Sequence, residues 1–274
     1  MRSSTRLVTA TAAALLCVGA LSACGPDNGG QDGGKTAAPA PTGAAPTGAA
    51  PTGAPATGGS TAKPTGGASK PADGKGIPAK AWMDTKSIPM DETYHYAPLA
   101  ANAKSVTGSS DFKGMQVCHS SLSKDDEDLF TGGTAKAMAS VGFGGDRWTA
   151  QQTLFFFGDP THSSGTGQSV GFIKDRLTQY VKDCGKTAPG ATVKMSTAAD
   201  APDFAATLTV PQADGSTVTL HEYVINAGGT VSELSVWATT KGGAQPKDAW
   251  KAPEDKYVFT GMTAALCEVL PGCD

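Results

Sequence analysis

Cys24 is the residue whose surroundings say most about chemistry, because its thiol follows a leader that ends in small residues. The small residues at 22–23 come after an apolar run over residues 7–21, and Arg2 and Arg6 precede that run. A basic region, an apolar core and a small-residue cleavage site are the layout of a secretory signal peptide. The apolar run has 15 residues, whereas a helix needs about 20 to span a bilayer. We therefore expect the leader to be removed.

The sequence Leu21-Ser22-Ala23-Cys24 resembles the lipobox of bacterial lipoproteins. The resemblance implies that the Cys24 thiol takes a diacylglyceryl group and that cleavage before Cys24 removes residues 1–23. The membrane is then a partner through this lipid anchor, since stable attachment needs two anchoring chains. An ordinary secretory signal followed by an incidental cysteine is the alternative.

Residues 24–77 form the predicted lipidated N-terminus and linker. They hold almost no large apolar side chain, and the motif Pro-Thr-Gly-Ala-Ala starts at Pro41 and Pro46 and returns in degenerate form at Pro51. Such a composition cannot bury enough apolar surface to offset the conformational entropy of ordering. We expect a disordered tether with an end-to-end distance of about 40 Å.

Residues 78–274 are long enough to form one well-cored extracytoplasmic domain. This part carries 16 basic and 22 acidic residues, out of 22 and 25 in the whole chain. An acidic domain lacks the clustered basic surface that binds nucleic acid through counterion release. Nucleic acid is therefore excluded as a partner, and membrane attachment is expected to depend on the acyl chains.

The cysteines of the predicted domain indicate an oxidising compartment. Four cysteines remain in the domain once the leader is removed and Cys24 is acylated. An even number in an exported domain is typical of disulfides. Three connectivities are open, and we favour a long loop closed by the first two cysteines with a local C-terminal staple formed by the last two. A zinc site is the alternative, but paired C-x-x-C spacing is missing. The four residues are Cys118, Cys184, Cys267 and Cys273.

Hydrophobic periodicity predicts an α+β fold. Residues 148–157 alternate into a buried end, as a strand does, and apolar residues recur at helical spacing from Val170 to Cys184. A meander of three antiparallel strands joined by hairpins follows, and the helix is expected to cover one of its faces. The strands are expected at 203–210, 216–226 and 230–239, and a last short helix at 261–270.

Strand alternation suggests a candidate ligand-binding surface, because successive side chains point to opposite faces. One parity of the meander is consistently apolar, and we expect the helix to cover it. The other parity interleaves aromatic with polar groups, which is how ligand clefts are lined. A solvent-facing sheet surface or a partly covered second core is the alternative. The candidate ligand-binding residues on this second parity are His221, Tyr223, Glu233 and Trp237.

The order of a strand, a helix ending in Cys184 and a threonine-rich meander resembles the sensor domains of actinobacterial lipoproteins and of mycobacterial receptor kinases of the PknH type. The resemblance covers residues 110–270 and also uses Cys118. It implies a disulfide-stapled α/β sandwich with a cleft, which acts as a ligand-sensing or binding module without catalysis. Cys267 and Cys273 depart from that pattern.

The segments that come nearest to the motifs of an enzyme or a metal site do not match them. His-Ser-Ser-Gly at 162–165 is not a nucleophile elbow, and the glycine spacing over 165–171 is one residue too long for a dinucleotide loop. The acidic run at 125–128 lacks the alternating ligands and turn glycine of a calcium loop. After Ser123 it is typical of a helix N-terminus. No catalytic residue, metal ligand or cofactor is predicted.

We therefore predict a cell-surface lipoprotein, held outside the membrane by Cys24, whose domain binds a small molecule or a cell-wall ligand without catalysis. Two alternatives stay open. The domain could be a cell-wall-associated hydrolase, which requires a closely spaced acid and base in a pocket, or a docking subunit for another surface protein.

Overall fold

The computed structural model describes residues 76–107 and 111–273 of the chain. The predicted signal peptide, the lipidation site at Cys24 and almost all of the predicted linker lie outside the described residues.

Seven antiparallel strands form one sheet in the described part of the chain, which confirms the predicted α+β class. They are β1 (Lys104–Ser105), β2 (Ala135–Gly142), β3 (Thr149–Phe156), β4 (Thr192–Met195), β5 (Phe204–Pro211), β6 (Ser216–Ala227) and β7 (Thr230–Lys241). The strand order across the sheet is β1-β2-β3-β7-β6-β5-β4. The predicted meander β5-β6-β7 is therefore confirmed, and β3 pairs with its last strand.

Helices lie on both faces of this sheet. They are α1 (Asp91–Tyr94), α2 (Lys113–Val117), α3 (Lys124–Thr131), α4 (Ser164–Lys182), α5 (Cys184–Thr187) and α6 (Asp255–Val269), with 3-10 turns at Ala79–Ala81, Thr85–Ser87 and Leu99–Asn102. The acidic run at 125–128 lies in α3, and the hydroxyl of Ser123 accepts the N–H of Asp126 at 3.2 Å. The predicted helix N-terminus is confirmed there.

One face of the sheet is covered by α2 and α4, and we call it the α4 face. The periodic apolar residues of α4 pack there on the odd-numbered side chains of β7 and the even-numbered ones of β5 and β6. This is the predicted packing of the long helix on the meander. The buried side chains include Ile173, Leu177 and Val181 of α4 and Leu208, Leu220, Val224 and Val231 of the sheet.

The opposite face, which we call the α6 face, is covered by α6 and by the segment 77–103. Its core contains Val258, Met262 and Leu266 of α6 against Leu234, Val236 and Ala238 of β7, together with Trp82 and Leu99. The sheet is thus buried on both sides, so the α6 face forms a second core, one of the two alternatives, rather than a solvent-facing surface.

Several elements differ from the sequence-based expectation. The long helix begins at Ser164 rather than at Val170, and α6 begins at Asp255 rather than near Gly261. Strand β2 was not expected at all. Its buried positions are largely alanines, as at Ala135 and Ala137, and alanine is a weak strand former that gives little alternation signal.

Both favoured disulfides are present. Cys118 joins Cys184 and so ties the end of α2 to the start of α5, while Cys267 joins Cys273 across a separation of 6 residues. Disulfides of this kind are typical of an oxidising, extracytoplasmic environment. Within the described residues, no helix is both long and apolar enough to cross a bilayer.

Candidate functional site

A cavity of about 540 Å³ opens on the α6 face, where the meander meets the segment before α6. The sheet contributes its floor, and residues 250–253 with the first turn of α6 form the opposite wall. The side chains with chemistry to offer are Ser196, Thr207, His221, Tyr223, Trp250, Lys251 and Asp255. Two of the four predicted ligand-binding residues are therefore in this pocket.

Strand β6 presents His221 and Tyr223 to the pocket because they are two residues apart and so share a face. Thr207 of β5 lies directly opposite His221 in the register, and Ala205 lies opposite Tyr223. The small side chain at Ala205 leaves the space that the pocket occupies between the strand and α6.

An aromatic stack forms one side of the pocket. The rings of His221 and Trp250 are parallel, with centroids 3.5 Å apart and an interplanar angle of 4°. Trp148 packs at 4.8 Å from Trp250 and at 5.4 Å from His221. Its Nε1 donates to the carbonyl of Asp248 at 2.8 Å, so the segment that carries Trp250 is fastened to β3 next to the stack.

His221 is neutral at physiological pH. Burial lowers its pKa to about 4, because the positive charge would have to leave water. Its Nδ1 lies 3.1 Å from the hydroxyl of Thr207, and the tautomer decides which atom donates. The ring therefore offers the pocket an uncharged, aromatic surface, and it is a weak base.

The polar groups of the pocket lie around Asp255 at the start of α6. Ser196 Oγ donates to Asp255 Oδ2 at 2.5 Å. The pKa of the Tyr223 hydroxyl is raised, first by burial and then by the neighbouring Asp255 carboxylate. Lys251 is exposed at the rim, and its backbone N–H donates to the thioether of Met90 at 3.0 Å. The pocket thus joins an aromatic side to a hydroxyl and carboxylate side.

The expectation that the four candidate residues share one face is wrong. Leu220 pairs with Trp237, and Val224 pairs with Glu233, so Glu233 and Trp237 lie on the α4 face. Glu233 is fully buried there. The ammonium of Lys113 covers the Trp237 ring at 4.3 Å from its centroid. Neither residue can contact a ligand in the pocket of the α6 face.

The cause is the turn between β6 and β7. Its loop has two residues, Gly228 and Gly229, so that Ala227 pairs with Thr230. Even-numbered residues of β6 therefore face the same way as odd-numbered residues of β7, whereas β5 and β6 keep the same parity. Leu234, on the expected helix-covered face, lies on the α6 face instead.

Sequence reasoning missed Trp250. It lies in the irregular stretch between β7 and α6, where no periodicity assigns a side chain to a face. The available signal was an aromatic residue in a short polar segment that ends at Pro253, a place where an apolar ring has no obvious core to enter.

Chemically, the pocket offers a bound molecule an aromatic side and a side of hydroxyl and carboxylate groups. The Ser196 hydroxyl donates to the Asp255 carboxylate. Among residues 76–107 and 111–273, no cluster of three or more His, Cys, Asp or Glu side chains has the arrangement of a metal site. Searches of family descriptions, curated proteins and solved structures find no match to this chain.

Proposed function

We propose that this chain is a lipid-anchored surface protein whose extracytoplasmic domain binds a ligand without catalysis. Support for the address comes from the signal layout before Cys24 and from the two disulfides, which fit an oxidising compartment. Support for binding comes from the pocket of the α6 face, and this is the observation that carries the proposal.

The pocket favours a ligand that has both an apolar face and hydroxyl groups. Ligand sites are mostly apolar and aromatic, with a few placed polar groups that fix orientation. Here Trp250 and the uncharged His221 supply the aromatic part. Asp255, Tyr223 and Thr207 supply acceptors and hydroxyls. A sugar unit of a cell-wall polymer has this combination, and a protein tethered at the wall would meet it.

The binding test is a titration of the mature chain with a peptidoglycan disaccharide-peptide fragment, in which tryptophan fluorescence is the readout. Trp250→Phe is expected to weaken binding and so to raise the dissociation constant by at least about tenfold, which corresponds to about 1.4 kcal/mol. Trp237→Phe is the matched control, because it makes the same substitution on the α4 face and should leave affinity unchanged. Equal effects of the two variants, or no saturable signal, would contradict the proposed site.

The same mixtures also test the absence of catalysis. After prolonged incubation, mass spectrometry of the fragment should show it intact. Cleavage of a glycan or peptide bond by the wild-type chain, together with loss of that cleavage in a Ser196→Ala variant, would instead establish the hydrolase alternative. Capture of one defined surface protein that is abolished by changes outside the pocket would favour the docking alternative.

The lipid anchor is tested on the mature N-terminus. Mass spectrometry of the membrane-extracted chain should find Cys24 as the first residue, with a diacylglyceryl group on sulfur. Cys24→Ser should release the domain from the membrane fraction with its disulfides intact. An unmodified Cys24 in the secreted wild-type chain would contradict the anchor while leaving the pocket proposal untouched.

A further inference from the structure

Two carboxyl groups are buried side by side on the α4 face, away from the pocket. Glu222 of β6 and Glu233 of β7 both have zero exposed surface. Glu222 pairs with Ser235, and Glu233 pairs with Val224, so the two acids are diagonal neighbours on one face of adjacent strands. Side chains of that length reach each other across such a diagonal.

The surroundings of the two carboxyl groups are unequal. Glu233 accepts two backbone N–H groups of α2, from Lys113 at 2.8 Å and from Gly114 at 3.0 Å. Glu222 accepts the hydroxyl of Ser235 on Oε2 at 2.5 Å. Within the described residues, no conventional donor faces its buried Oε1. The ionised form is therefore better solvated at Glu233 than at Glu222.

One proton shared by the pair resolves this arrangement. Two adjacent buried carboxyl groups cannot both be charged at an ordinary energetic cost. Burial raises the pKa of Glu222 well above its usual range, and the neighbouring Glu233 raises it further. Burial also raises the pKa of Glu233, while the bonds that it accepts oppose that rise. Glu222 thus carries the proton and donates a hydrogen bond to the Glu233 carboxylate.

The pair holds α2 against the sheet. Besides the two backbone bonds to Glu233, Gly114 packs so closely that a Cβ there would lie 2.9 Å from Glu222 Oε1 and 2.8 Å from Val181 Cγ2. The far end of the segment is fixed covalently, because Cys118 joins Cys184. Loss of the two bonds would let α2 move away from the sheet while the disulfide limits how far it goes.

Other charges on the α4 face do not neutralise a doubly ionised pair. Lys113 is half-buried over Trp237, and burial is the main cause that lowers its pKa, against the opposite effect of the two glutamates. The positive charge of Lys136 on β2 acts first on Asp111, 3.6 Å away, and only then on Glu233.

The charged side chains of α4 have other partners. Arg176 pairs with Asp126 at 3.2 Å, and Lys174 donates to the carbonyl of Pro202 at 2.8 Å. Lys182 lies over the Phe204 ring, 5.5 Å from its centroid. The second negative charge would therefore stay largely uncompensated.

We propose that the proton shared by Glu222 and Glu233 is a latch, which holds α2 on the sheet in acid and releases it as the pH rises. The sign follows from linkage. A carboxyl group that binds its proton more tightly in the closed state than in the open state favours closure at low pH. The fraction of open molecules then rises with pH, beginning above the ordinary glutamate pKa of 4.5.

The test is amide hydrogen exchange of the mature chain between pH 5 and 8, corrected for intrinsic exchange and read in the segment 111–118. The protection of the Lys113 and Gly114 amides is expected to fall by up to about tenfold per pH unit where Glu222 loses its proton. Glu222→Gln mimics the protonated acid, because its amide can donate to Glu233 and its carbonyl can accept from Ser235. This variant should keep the protection and lose the pH dependence.

Glu127→Gln is the matched control, because it makes the same substitution at an exposed position of α3. It should reproduce the wild-type pH dependence. An equal slope in wild type and Glu222→Gln, or a flat wild-type profile, would overturn the latch.

A second measurement does not depend on the stability of any variant. Infrared spectra of the wild-type chain in heavy water at neutral pH should contain the C=O band of a buried protonated carboxyl group. The band should disappear on the same pH rise that releases the segment 111–118. Its absence at neutral pH would overturn the proposal even if Glu222→Gln fails to fold.

Discussion

The two faces of the sheet hold their ionisable groups in opposite ways. On the α4 face the carboxyl groups of Glu222 and Glu233 are fully buried, and Glu233 accepts hydrogen bonds from the α2 amides of the covering segment. On the α6 face ionisable groups line an open cavity, and the ring of His221 is kept neutral by partial burial. The α4 face is closed around its charges, whereas the α6 face leaves room for another molecule.

The two covers are also fastened differently. A disulfide between Cys118 and Cys184 ties two segments of the α4 face that are 66 residues apart. The disulfide between Cys267 and Cys273 joins only the last turn of α6 to the residues just after it. Among the described residues, the α6 cover therefore has no disulfide that ties it to the sheet, and packing and hydrogen bonds, such as that from the Met83 N–H to Gln152, hold it there.

The largest expected effect concerns these disulfides. Replacing Cys118 and Cys184 by alanine should lower the free energy of unfolding by about 4 kcal/mol, because the bond closes a long loop in the unfolded chain. The same replacement at Cys267 and Cys273 should cost about 2 kcal/mol, since its loop is short. Urea denaturation of both double variants and the wild type measures the difference. Equal losses would mean that the two covers are fastened equally well.

The next effect concerns pH on the α6 face. His221 has a pKa of about 4 in the folded chain against 6.5 ordinarily. The unfolded chain binds the proton first as the pH falls, so this residue contributes stability that is complete above pH 6.5 and is lost towards pH 4. The full loss is about 3 kcal/mol, at about 1.4 kcal/mol per unit of pKa.

His221→Phe keeps a ring on Trp250 and removes the titration. The difference in unfolding free energy between wild type and this variant should therefore change between pH 4 and 6.5 and stay constant above. Loss of the Thr207 contact displaces the whole curve without bending it. A difference that does not vary with pH would show that His221 has the same pKa in the folded and the unfolded chain.

Much of the fold could be predicted because its strongest patterns are local. The α4 residues Ile173, Leu177 and Val181 recur at helical spacing and all enter the core. The meander strands combine β-branched residues with clear hairpin signals. Strand β2 escaped prediction because alanines such as Ala137 and Ala139 bury too little side chain to mark a face.

The candidate site could be predicted only in part, because one step of the register was misread. His221 and Tyr223 were placed correctly together, but Glu233 and Trp237 were assigned to their face by counting apolar residues on β7. The two-residue turn at Gly228 and Gly229 reverses that parity. Turn length sets register, and it was the better guide. Glu233 is a polar residue that is buried, and its carboxyl group is tolerated there because Glu222 and the α2 amides hydrogen-bond to it.

The third prediction compares glycines under the two covers. A Cβ at Gly114 would meet Glu222 and Val181 within 3 Å, and one at Gly261 of α6 would lie 2.7 Å from the Cβ of Ser87. Each alanine variant should lower the free energy of unfolding by about 1–3 kcal/mol through overpacking. Gly261→Ala should displace the 85–87 turn, whereas Gly114→Ala should loosen α2. Hydrogen exchange by segment separates the two, and loosening of both segments in each variant would mean that the faces respond as one unit.

The smallest effect has the opposite sign and calibrates the other two glycines. Gly171 lies inside α4, and a Cβ there would have nothing within 4 Å. Alanine should therefore raise the free energy of unfolding by about 0.5–1 kcal/mol, because glycine loses more backbone entropy than alanine in a helix interior. The measurement is the urea midpoint at unchanged denaturant slope. If Gly171→Ala were as destabilising as Gly114→Ala, the cost at Gly114 would belong to the helices in general, and the close contact of α2 with Glu222 would lose its special standing.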